Sequence, residues 1–336
     1  MGQIEEVERA AAEGDASAMT ALGKHKLAEA GAAGIHTLQE GARLLQAAAE
    51  KGSAEADYAI SVLYSVFAHE PQEWSLALVH LRRSAERGWD AAREQLCLLA
   101  ADRDLAAAAA SGQCDDDVWE KLQATIDLPA LLGSPTATIV SRTPLIKVVE
   151  GFASGAECKW MIERSRERIE RARIMDAHIL GGKVDSRRTN SSTFFDILDA
   201  DFILNVLRAR IALATQFERP SLEVTGVMHY ASGQTFDPHF DWFDSAETPG
   251  AAEIDTKGQR VATFLIYLND GFEGAETEFP AIGWRYKGAP GDALFFMNVD
   301  ETGSVDRLTL HSGLAPTRGE KWLFSQWIRG PKGVGL

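Results

Sequence analysis

A repeat of about 36 residues in the first third of the chain is the feature that most limits its possible folds. Gly14, Gly52 and Gly88 each follow an Ala-Glu motif and are separated by 38 and 36 residues. Alanine stands four residues after each glycine, and leucine or isoleucine stands eight residues after it (Ala18, Ala56, Ala92; Leu22, Ile60, Leu96). Small residues at fixed offsets let helices pack closely, and a glycine can end one helix before the next begins. The repeat therefore predicts a solenoid of helix pairs in residues 1–104.

This region resembles Sel1-like repeats, which are relatives of the tetratricopeptide repeat, in two to three degenerate copies. The first copy departs from the Sel1-like pattern because it lacks much of the aromatic part. An ordinary alanine-rich helical bundle is the alternative, since it has the same helical periodicity.

The composition changes over residues 105–141. An alanine run (106–110), an acidic run (115–117) and the breakers Pro129, Gly133 and Pro135 occur there. These features predict a linker whose first part forms one more helix.

The remainder, residues 142–336, carries strand signals as well as helices. Amphipathic helices are expected at 155–169 and 200–217, and strands at 145–149, 223–230, 260–268, 292–297 and 321–329. Turn-rich segments separate the later strands. A helix pair followed by many short strands predicts an α+β domain closed by a β-sandwich or a barrel.

Composition excludes or disfavours several classes of protein. The longest apolar runs, such as residues 261–268, are far too short to span a bilayer. The net charge of −15 disfavours general attraction to nucleic acid. Cys97, Cys114 and Cys158 are too widely spaced for a disulfide framework or a thiolate zinc site. The first ten residues are acidic and lack an export signal, so we expect a cytoplasmic protein.

The segment Asp237-Pro238-His239-Phe240-Asp241 carries the first chemical signal. In a strand, His239 and Asp241 project to the same face and can hold adjacent positions on a metal. His311, 70 residues after Asp241, is the natural third ligand. Two histidines and one carboxylate suit the facial triad of non-haem iron(II) oxygenases. A catalytic zinc site has the same ligands, and a surface turn is the alternative for the bare His-x-Asp motif.

Lys321, ten residues after His311, begins a strand in which Lys321, Leu323, Ser325, Trp327 and Arg329 share one face. A lysine inside an apolar barrel is unfavourable unless it meets an anion. A dicarboxylate cosubstrate that chelates the metal would supply that anion. The alternative is a lysine at the strand's mouth that reaches solvent.

Seven ordered blocks between about Leu145 and Arg329 resemble the prolyl 4-hydroxylase branch of the 2-oxoglutarate- and iron(II)-dependent oxygenases. They are Glu223 with 229–234 leading to His239–Asp241, 259–263 with 267–269, 274–280, 290–294, His311, Lys321-Trp322 and 326–328.

The resemblance implies a double-stranded β-helix of the jelly-roll or cupin-like type with flanking helices, and a metal set of His239, Asp241 and His311. It implies that Lys321 pairs with the distal carboxylate of 2-oxoglutarate, that Tyr230 hydrogen-bonds the same cosubstrate, and that Thr263 is its neighbour on the barrel wall. Fe(II), 2-oxoglutarate and O2 are the implied cofactors, with ascorbate as a stimulant and succinate and CO2 as products. Because Asp241 is present, hydroxylation is favoured over halogenation.

Four residues, Glu223, Arg260, Trp327 and Arg329, fall where the family often contacts substrate. A surface ion pair for Glu223 with Arg260 and a core position for Trp327 are the alternatives, and Arg329 stands where some relatives have histidine. Arg187–Thr189 resembles a family segment bordering the active site, and its surroundings (180–192) are expected to form a mobile substrate loop. His229 neighbours Tyr230 in a strand, so it faces the other side and is not expected to be a ligand.

The first functional hypothesis is hydroxylation of a prolyl residue in a protein or peptide that the helical repeats recruit, since solenoids offer extended concave surfaces. The alternative is the same chemistry on a free amino acid or other small metabolite, with the repeats serving oligomerisation or protein interaction. A catalytically idle binding module is disfavoured by the complete set of His239, Asp241, His311 and Lys321. A nucleic-acid demethylase is disfavoured by the charge, and neither nucleic acid nor membrane is an expected partner.

Overall fold

The structure is a computed structural model that describes residues 2–112, 115, 117–174, 183–197 and 199–331. The chain divides into two compact units. The first comprises Met1–Gly133 with Ile197–Leu207, and the second comprises Ser134–Asp196 with Arg208–Leu336.

The first unit is helical. Its helices are α1 (Gly2–Ala12), α2 (Ala16–Ala33), α3 (Ile35–Glu50), α4 (Ala54–Phe67), α5 (Pro71–Glu86), α6 (Asp90–Leu99), α7 (Arg103–Ala110), α8 (Val118–Ala124) and α9 (Leu128–Leu132). None of the described helices is both long enough and apolar enough to cross a membrane.

Glycine ends a helix at the same place in each repeat. Gly14, Gly52 and Gly88 have φ values of 91°, 96° and 94°, a left-handed conformation that favours glycine. Each precedes the start of α2, α4 or α6 by one turn residue. The predicted role of these glycines is therefore confirmed.

The core of the first unit contains the apolar positions of the repeat. Leu22, Ile60 and Leu96, each eight residues after a repeat glycine, are buried. Asp57 is fully buried in α4, and its carboxylate lies 2.8 Å from Nδ1 of His80 and also contacts Arg87. A buried carboxylate is tolerated because these groups compensate the loss of water.

The segment 105–141 differs from the predicted linker. Helix α7 covers its alanine run as expected, but α8 and α9 follow, and the first unit continues to Gly133. Val118, Trp119 and Leu122 are buried, which explains why α8 folds despite the breakers around it. Asp116, in the acidic run, and Cys114 lie outside the described residues.

The second unit is mixed. Its strands are β1 (Thr138–Arg142), β2 (Leu145–Val149), β3 (Glu170–Arg171), β4 (Ser191–Phe195), β5 (Thr225–Tyr230), β6 (Phe236–His239), β7 (Arg260–Tyr267), β8 (Phe272–Gly274), β9 (Thr277–Phe279), β10 (Trp284–Tyr286), β11 (Ala293–Met297), β12 (His311–Gly313), β13 (Pro316–Gly319) and β14 (Lys321–Arg329). Its helices are α10 (Gly155–Arg166), the later part of α11 (Phe202–Thr215) and α12 (Thr248–Lys257).

Two antiparallel sheets share one apolar core. The larger has the order β1-β2-β11-β7-β14-β5-β4-β3, and the smaller has the order β10-β9-β12-β6. Side chains of both sheets, among them Tyr267 and Phe296 from the larger and Phe279 from the smaller, form this core. The α+β class and the jelly-roll-like pair of sheets are confirmed. Because the larger sheet ends at β1 and β3, the described strands form an open sandwich and not a closed barrel.

Candidate functional site

Two short strands of the smaller sheet bring the predicted metal ligands together. β12 pairs with β6 so that His311 lies opposite His239. Asp241 follows β6, and its carboxylate oxygens lie 3.8 Å from Nε2 of His239 and 3.5 Å from Nε2 of His311. One ligand atom from each of the three residues lies within 4.8 Å of the others.

Backbone carbonyls orient both imidazole rings. Nδ1 of His239 lies 2.8 Å from the carbonyl oxygen of Asp237, and Nδ1 of His311 lies 2.9 Å from that of Thr309. A carbonyl can only accept, so each Nδ1 carries the proton and each Nε2 keeps its lone pair for a metal.

The protonation states also suit metal binding. Burial, together with the neighbouring His311, lowers the pKa of His239 to about 3, so its ring is neutral near pH 7. Burial alone would raise the pKa of Asp241, but His311 and His239 together hold it below its usual value. Two imidazoles and one carboxylate form a donor set that fits Fe(II), and the residues present therefore agree with an iron site.

A pocket next to this triad contains a buried cation. The pocket encloses about 380 Å³ that atoms do not fill, part of it open to solvent, and both Lys321 and the three triad residues line it. Lys321 is fully buried and donates to the carbonyl oxygen of Ala275 at 2.8 Å, with no salt-bridge partner among the described residues. Burial lowers the pKa of Lys321 to about 7. A carboxylate entering the pocket would supply the missing anion.

The predicted alternation along β14 is confirmed for most of its length. Lys321, Leu323, Ser325 and Trp327 line this pocket, whereas Trp322, Phe324 and Ile328 do not. Arg329 is expected on the same face but does not line the pocket, and its guanidinium instead contacts Glu223, Glu253 and the carbonyl of Gly258.

Tyr230 and His229 face opposite sides of β5, as expected. Tyr230 lines the pocket, and burial raises its pKa to about 12, so its phenol keeps the proton that it can donate. His229 instead packs against the ring of Trp322 and lies 2.8 Å from a carboxylate oxygen of Glu320.

The structure gives Thr263 a different contact from the predicted one. Its side chain does not line the pocket, and its hydroxyl donates to Oδ2 of Asp241 at 2.7 Å. Because side chains alternate along β7, Thr263 shares a face with the pocket-lining Leu265, and it lies beside the pocket with its hydroxyl on the metal ligand.

A larger cleft adjoins the triad on its solvent side. It encloses about 2340 Å³ of space not filled by atoms, part of it open, and is lined by His239, Asp241, Glu223, Arg260 and Trp327 among others. Three of the four predicted substrate contacts therefore line it.

Glu223, Arg260 and Arg329 form one ion-pair network. The carboxylate of Glu223 accepts two hydrogen bonds from Arg260, at 2.6 and 2.9 Å. Arg329 lies beside Glu223, and its own hydrogen bonds go to the carbonyl of Gly258 and the carboxylate of Glu253. The Arg260 guanidinium carbon lies 3.9 Å from the centre of the Trp327 ring. Arg329 therefore fixes the end of α12 and does not line the cleft.

The predicted substrate loop is described only in part. Residues 180–182 lie outside the described residues, while Arg187 and Arg188 line the cleft. Arg188 is 6% exposed, donates to the carbonyl of Arg173 at 3.0 Å and lies over the Phe236 ring. Sequence reasoning placed this arginine only at the border of the site.

Asn298 was not identified from the sequence. It is fully buried, and its Nδ2 donates to the hydroxyl of Thr263 at 3.1 Å. The one available signal was a polar residue directly after the apolar strand β11.

Comparisons with known proteins agree with this geometry. Residues 225–329 match the family model described as the 2OG-Fe(II) oxygenase superfamily. The chain is 33% identical over 213 residues to probable prolyl 4-hydroxylase 10 of Arabidopsis thaliana, an alignment that covers 57% of this chain and 71% of that relative. It is 31% identical over 212 residues to prolyl 4-hydroxylase 1 of the same plant, covering 59% and 73% of the two chains.

A solved structure is also similar. The 2OG complex of the viral collagen prolyl hydroxylase from Paramecium Bursaria Chlorella virus-1 aligns with a TM-score of 0.43 and 25% identity, covering 55% of this chain and 96% of that one.

Proposed function

Because this chain belongs to the prolyl 4-hydroxylase family of 2-oxoglutarate- and Fe(II)-dependent oxygenases, we propose that it hydroxylates a prolyl residue in a protein or peptide. The family requires Fe(II), 2-oxoglutarate and O2. In the net reaction one oxygen atom of O2 enters a C–H bond of the substrate and the other enters succinate, with release of CO2.

The observation that carries the proposal is a buried cation beside a set of metal ligands. Lys321 is fully buried, lacks a salt-bridge partner among the described residues and lines the same pocket as the triad. An unpaired ammonium at this depth is unfavourable unless an anion binds next to it. A dicarboxylate that reached both the metal and Lys321 would give the metal an oxygen ligand and the buried ammonium its anion.

His239, Asp241 and His311 would hold the metal. Their Nε2 lone pairs and the ionised carboxylate would supply the metal with two nitrogen ligands and one oxygen ligand. Bound Fe(II) supplies the oxidising chemistry that couples decarboxylation of 2-oxoglutarate to hydroxylation.

Lys321 and Tyr230 would hold the distal carboxylate of the cosubstrate. The lysine supplies charge and hydrogen bonds, and the phenol of Tyr230 supplies one further hydrogen bond because its raised pKa keeps it protonated. Apolar side chains such as Leu323 and Leu265 also line this pocket and would limit the access of water to the bound cosubstrate.

The larger cleft would bind the substrate. Trp327 and His239 line both the inner pocket and this cleft, so a chain bound in the cleft has access to the metal. Glu223 and Arg260 are mutually paired, and we assign them to shaping the wall behind Trp327. Arg188 also lines the cleft, and the guanidinium hydrogens that its bonds to Asn190 and Arg173 leave free could donate to backbone carbonyls of a peptide.

Recruitment of the substrate by the helical repeats is part of the same proposal, supported by the repeated helix–glycine–helix pattern of the first unit. We also propose that the first unit consists of Sel1-like repeats, that ascorbate stimulates the reaction and that the protein is cytoplasmic. The alternative is hydroxylation of a free amino acid or other small metabolite, since the metal and cosubstrate residues are the same for both.

The test is succinate formation from 2-oxoglutarate in the presence of Fe(II), ascorbate and O2, with and without proline-containing peptides. The wild-type protein should form succinate, a suitable peptide should increase the rate, and Asp241→Ala should abolish it. Asp270→Ala, which removes an exposed carboxylate outside the site, is the matched control. Iron-independent turnover, or equal turnover by Asp241→Ala, would overturn the proposal.

A further inference from the structure

The carboxylate of Asp241 is the end of a buried chain of hydrogen bonds. The Thr263 hydroxyl donates to Oδ2 of Asp241 at 2.7 Å, and Nδ2 of Asn298 donates to the Thr263 oxygen at 3.1 Å. Asp241 is 7% exposed, Thr263 is 1% exposed and Asn298 is 0% exposed. Solvent therefore does not compete with these bonds.

The direction of each bond is fixed by chemistry. An ionised carboxylate only accepts, so the single hydroxyl hydrogen of Thr263 is committed to Asp241. The threonine oxygen must then accept its second bond, and the amide nitrogen of Asn298 is the donor that faces it. If the amide were reversed, its oxygen would compete with Asp241 for the same hydrogen. Only one orientation of Asn298 leaves the metal ligand hydrogen-bonded.

Backbone contacts hold Asn298 in place. Its N–H donates to the carbonyl of Val261 on β7 at 2.8 Å, and its carbonyl accepts from the N–H of Asp306 at 3.0 Å. Asp306 caps the short turn Arg307–Thr309, and the carbonyl of Thr309 orients His311. Asn298 is thus connected to Asp241 through its side chain and to His311 through its backbone.

The environment of the Asn298 amide oxygen indicates that the amide NH2 group is the part of this side chain that the site requires. Oδ1 is buried and has no hydrogen-bond partner among the described residues. A buried unsatisfied acceptor is destabilising, so an apolar residue would suit packing better unless the amide hydrogens are needed. Packing alone therefore does not explain an asparagine at this position.

We propose that Asn298 is a positioning residue of the metal site, which fixes the Thr263 hydroxyl so that it orients the carboxylate of Asp241 and leaves its other oxygen for the metal. This inference rests on the proposed function, because it assumes that His239, Asp241 and His311 bind a metal. Partners of metal ligands of this kind typically change metal affinity by about 10- to 100-fold.

The experiment measures binding of Co(II) to the 336-residue chain without cosubstrate. It also records the visible d–d absorption of the bound Co(II), which reports the coordination geometry. Thr263→Val should weaken Co(II) binding by about 10- to 100-fold and Asn298→Ala by about 10-fold, with altered absorption in both. Thr263→Ser, which keeps the hydroxyl, should bind like the wild type. Thr225→Val removes another fully buried, hydrogen-bonded hydroxyl away from the site and should also bind like the wild type.

The double variant Thr263→Val/Asn298→Ala distinguishes positioning from a general structural effect. If Asn298 acts through Thr263, the double variant should bind Co(II) no more weakly than Thr263→Val alone. Thermal unfolding detects any folding defect of Asn298→Ala. Asn298→Leu avoids the cavity that alanine leaves and should weaken Co(II) binding to the same extent.

Wild-type affinity and absorption in both Asn298 variants would overturn the inference while leaving the metal site intact. Additive losses in the double variant would likewise overturn it, because Asn298 would then act independently of Thr263. Absence of Co(II) and Fe(II) binding to the wild-type protein would instead overturn the proposed function itself, and the inference with it.

Discussion

Lys321 and Tyr230 lie opposite each other on the neighbouring antiparallel strands β14 and β5, with the lysine Nζ 5.4 Å from the centre of the tyrosine ring. The pairing places a buried ammonium and a protonated phenol on one wall of the pocket that the metal ligands also line. Both groups can donate hydrogen bonds to a carboxylate, and this arrangement defines the expected cosubstrate end of the site.

Removing the buried ammonium should weaken cosubstrate binding. Lys321→Met is expected to raise the KM for 2-oxoglutarate by about 30- to 150-fold, because a charged hydrogen bond contributes about 2–3 kcal/mol. Steady-state succinate formation measures the change. Lys159→Met, which removes an exposed lysine of α10 that pairs with Glu163 and does not line the pocket, is the control. An unchanged KM in Lys321→Met would show that the cosubstrate binds elsewhere.

Affinity for 2-oxoglutarate should fall as the pH rises above 7. The pKa of Lys321 is lowered to about 7, so the ammonium is present below pH 7 and is lost above it in the protein without cosubstrate. Binding of a carboxylate then requires proton uptake, which weakens the apparent affinity by up to about tenfold per pH unit until the pKa of the complex is reached. Calorimetric titrations at several pH values measure this, and a flat profile between pH 7 and 9 would contradict the lowered pKa.

Because Gly313 has no side chain, the Tyr230 hydroxyl can lie directly against its backbone. A Cβ atom at this position would lie 2.9 Å from the Tyr230 hydroxyl oxygen, which is too close for either group to remain in place. Gly313→Ala should therefore destabilise the fold by about 1–3 kcal/mol and weaken 2-oxoglutarate binding through displacement of Tyr230. Gly271→Ala, where a Cβ atom meets nothing within 4 Å, should change neither property. Denaturant unfolding and cosubstrate titration of both variants decide the matter.

Glu223 should contribute to stability as well as to the cleft. Glu223→Gln leaves Arg260 and Arg329 without their shared carboxylate, and both arginines are largely buried. We expect a loss of about 3 kcal/mol in the free energy of unfolding, because breaking a buried ion pair leaves uncompensated charge. Arg318→Gln breaks an exposed pair with Glu273 and should have little effect. Equal stabilities of the two variants would contradict the importance of the network.

The sequence was sufficient for features that depend on local periodicity. Alternation along β14 placed Lys321 and Trp327 on one face, and the pocket lining agrees. The repeat glycines Gly14, Gly52 and Gly88 end helices because each adopts a left-handed conformation, which the spacing already indicated.

Features that depend on long-range pairing were not predictable in this way. Arg329 does not line the pocket because its guanidinium is bound to Gly258 and Glu253, about 70 residues away in sequence, and no local pattern marks these contacts. Thr263 contacts Asp241, 22 residues away in sequence, and Asn298 contacts Thr263, 35 residues away. Likewise, α8 folds in the expected linker because Trp119 and Leu122 are buried within the first unit, which composition alone does not reveal.

The most direct test of the central claim is mass spectrometry of a proline-containing peptide incubated with the protein, Fe(II), 2-oxoglutarate and isotopically labelled O2. The account predicts one labelled oxygen atom on a prolyl residue and one in succinate, with neither product from His311→Ala. The account would be contradicted if labelled succinate formed while the prolyl residues of all tested peptides and proteins stayed unmodified. In that case the label would appear in a free amino acid or another metabolite.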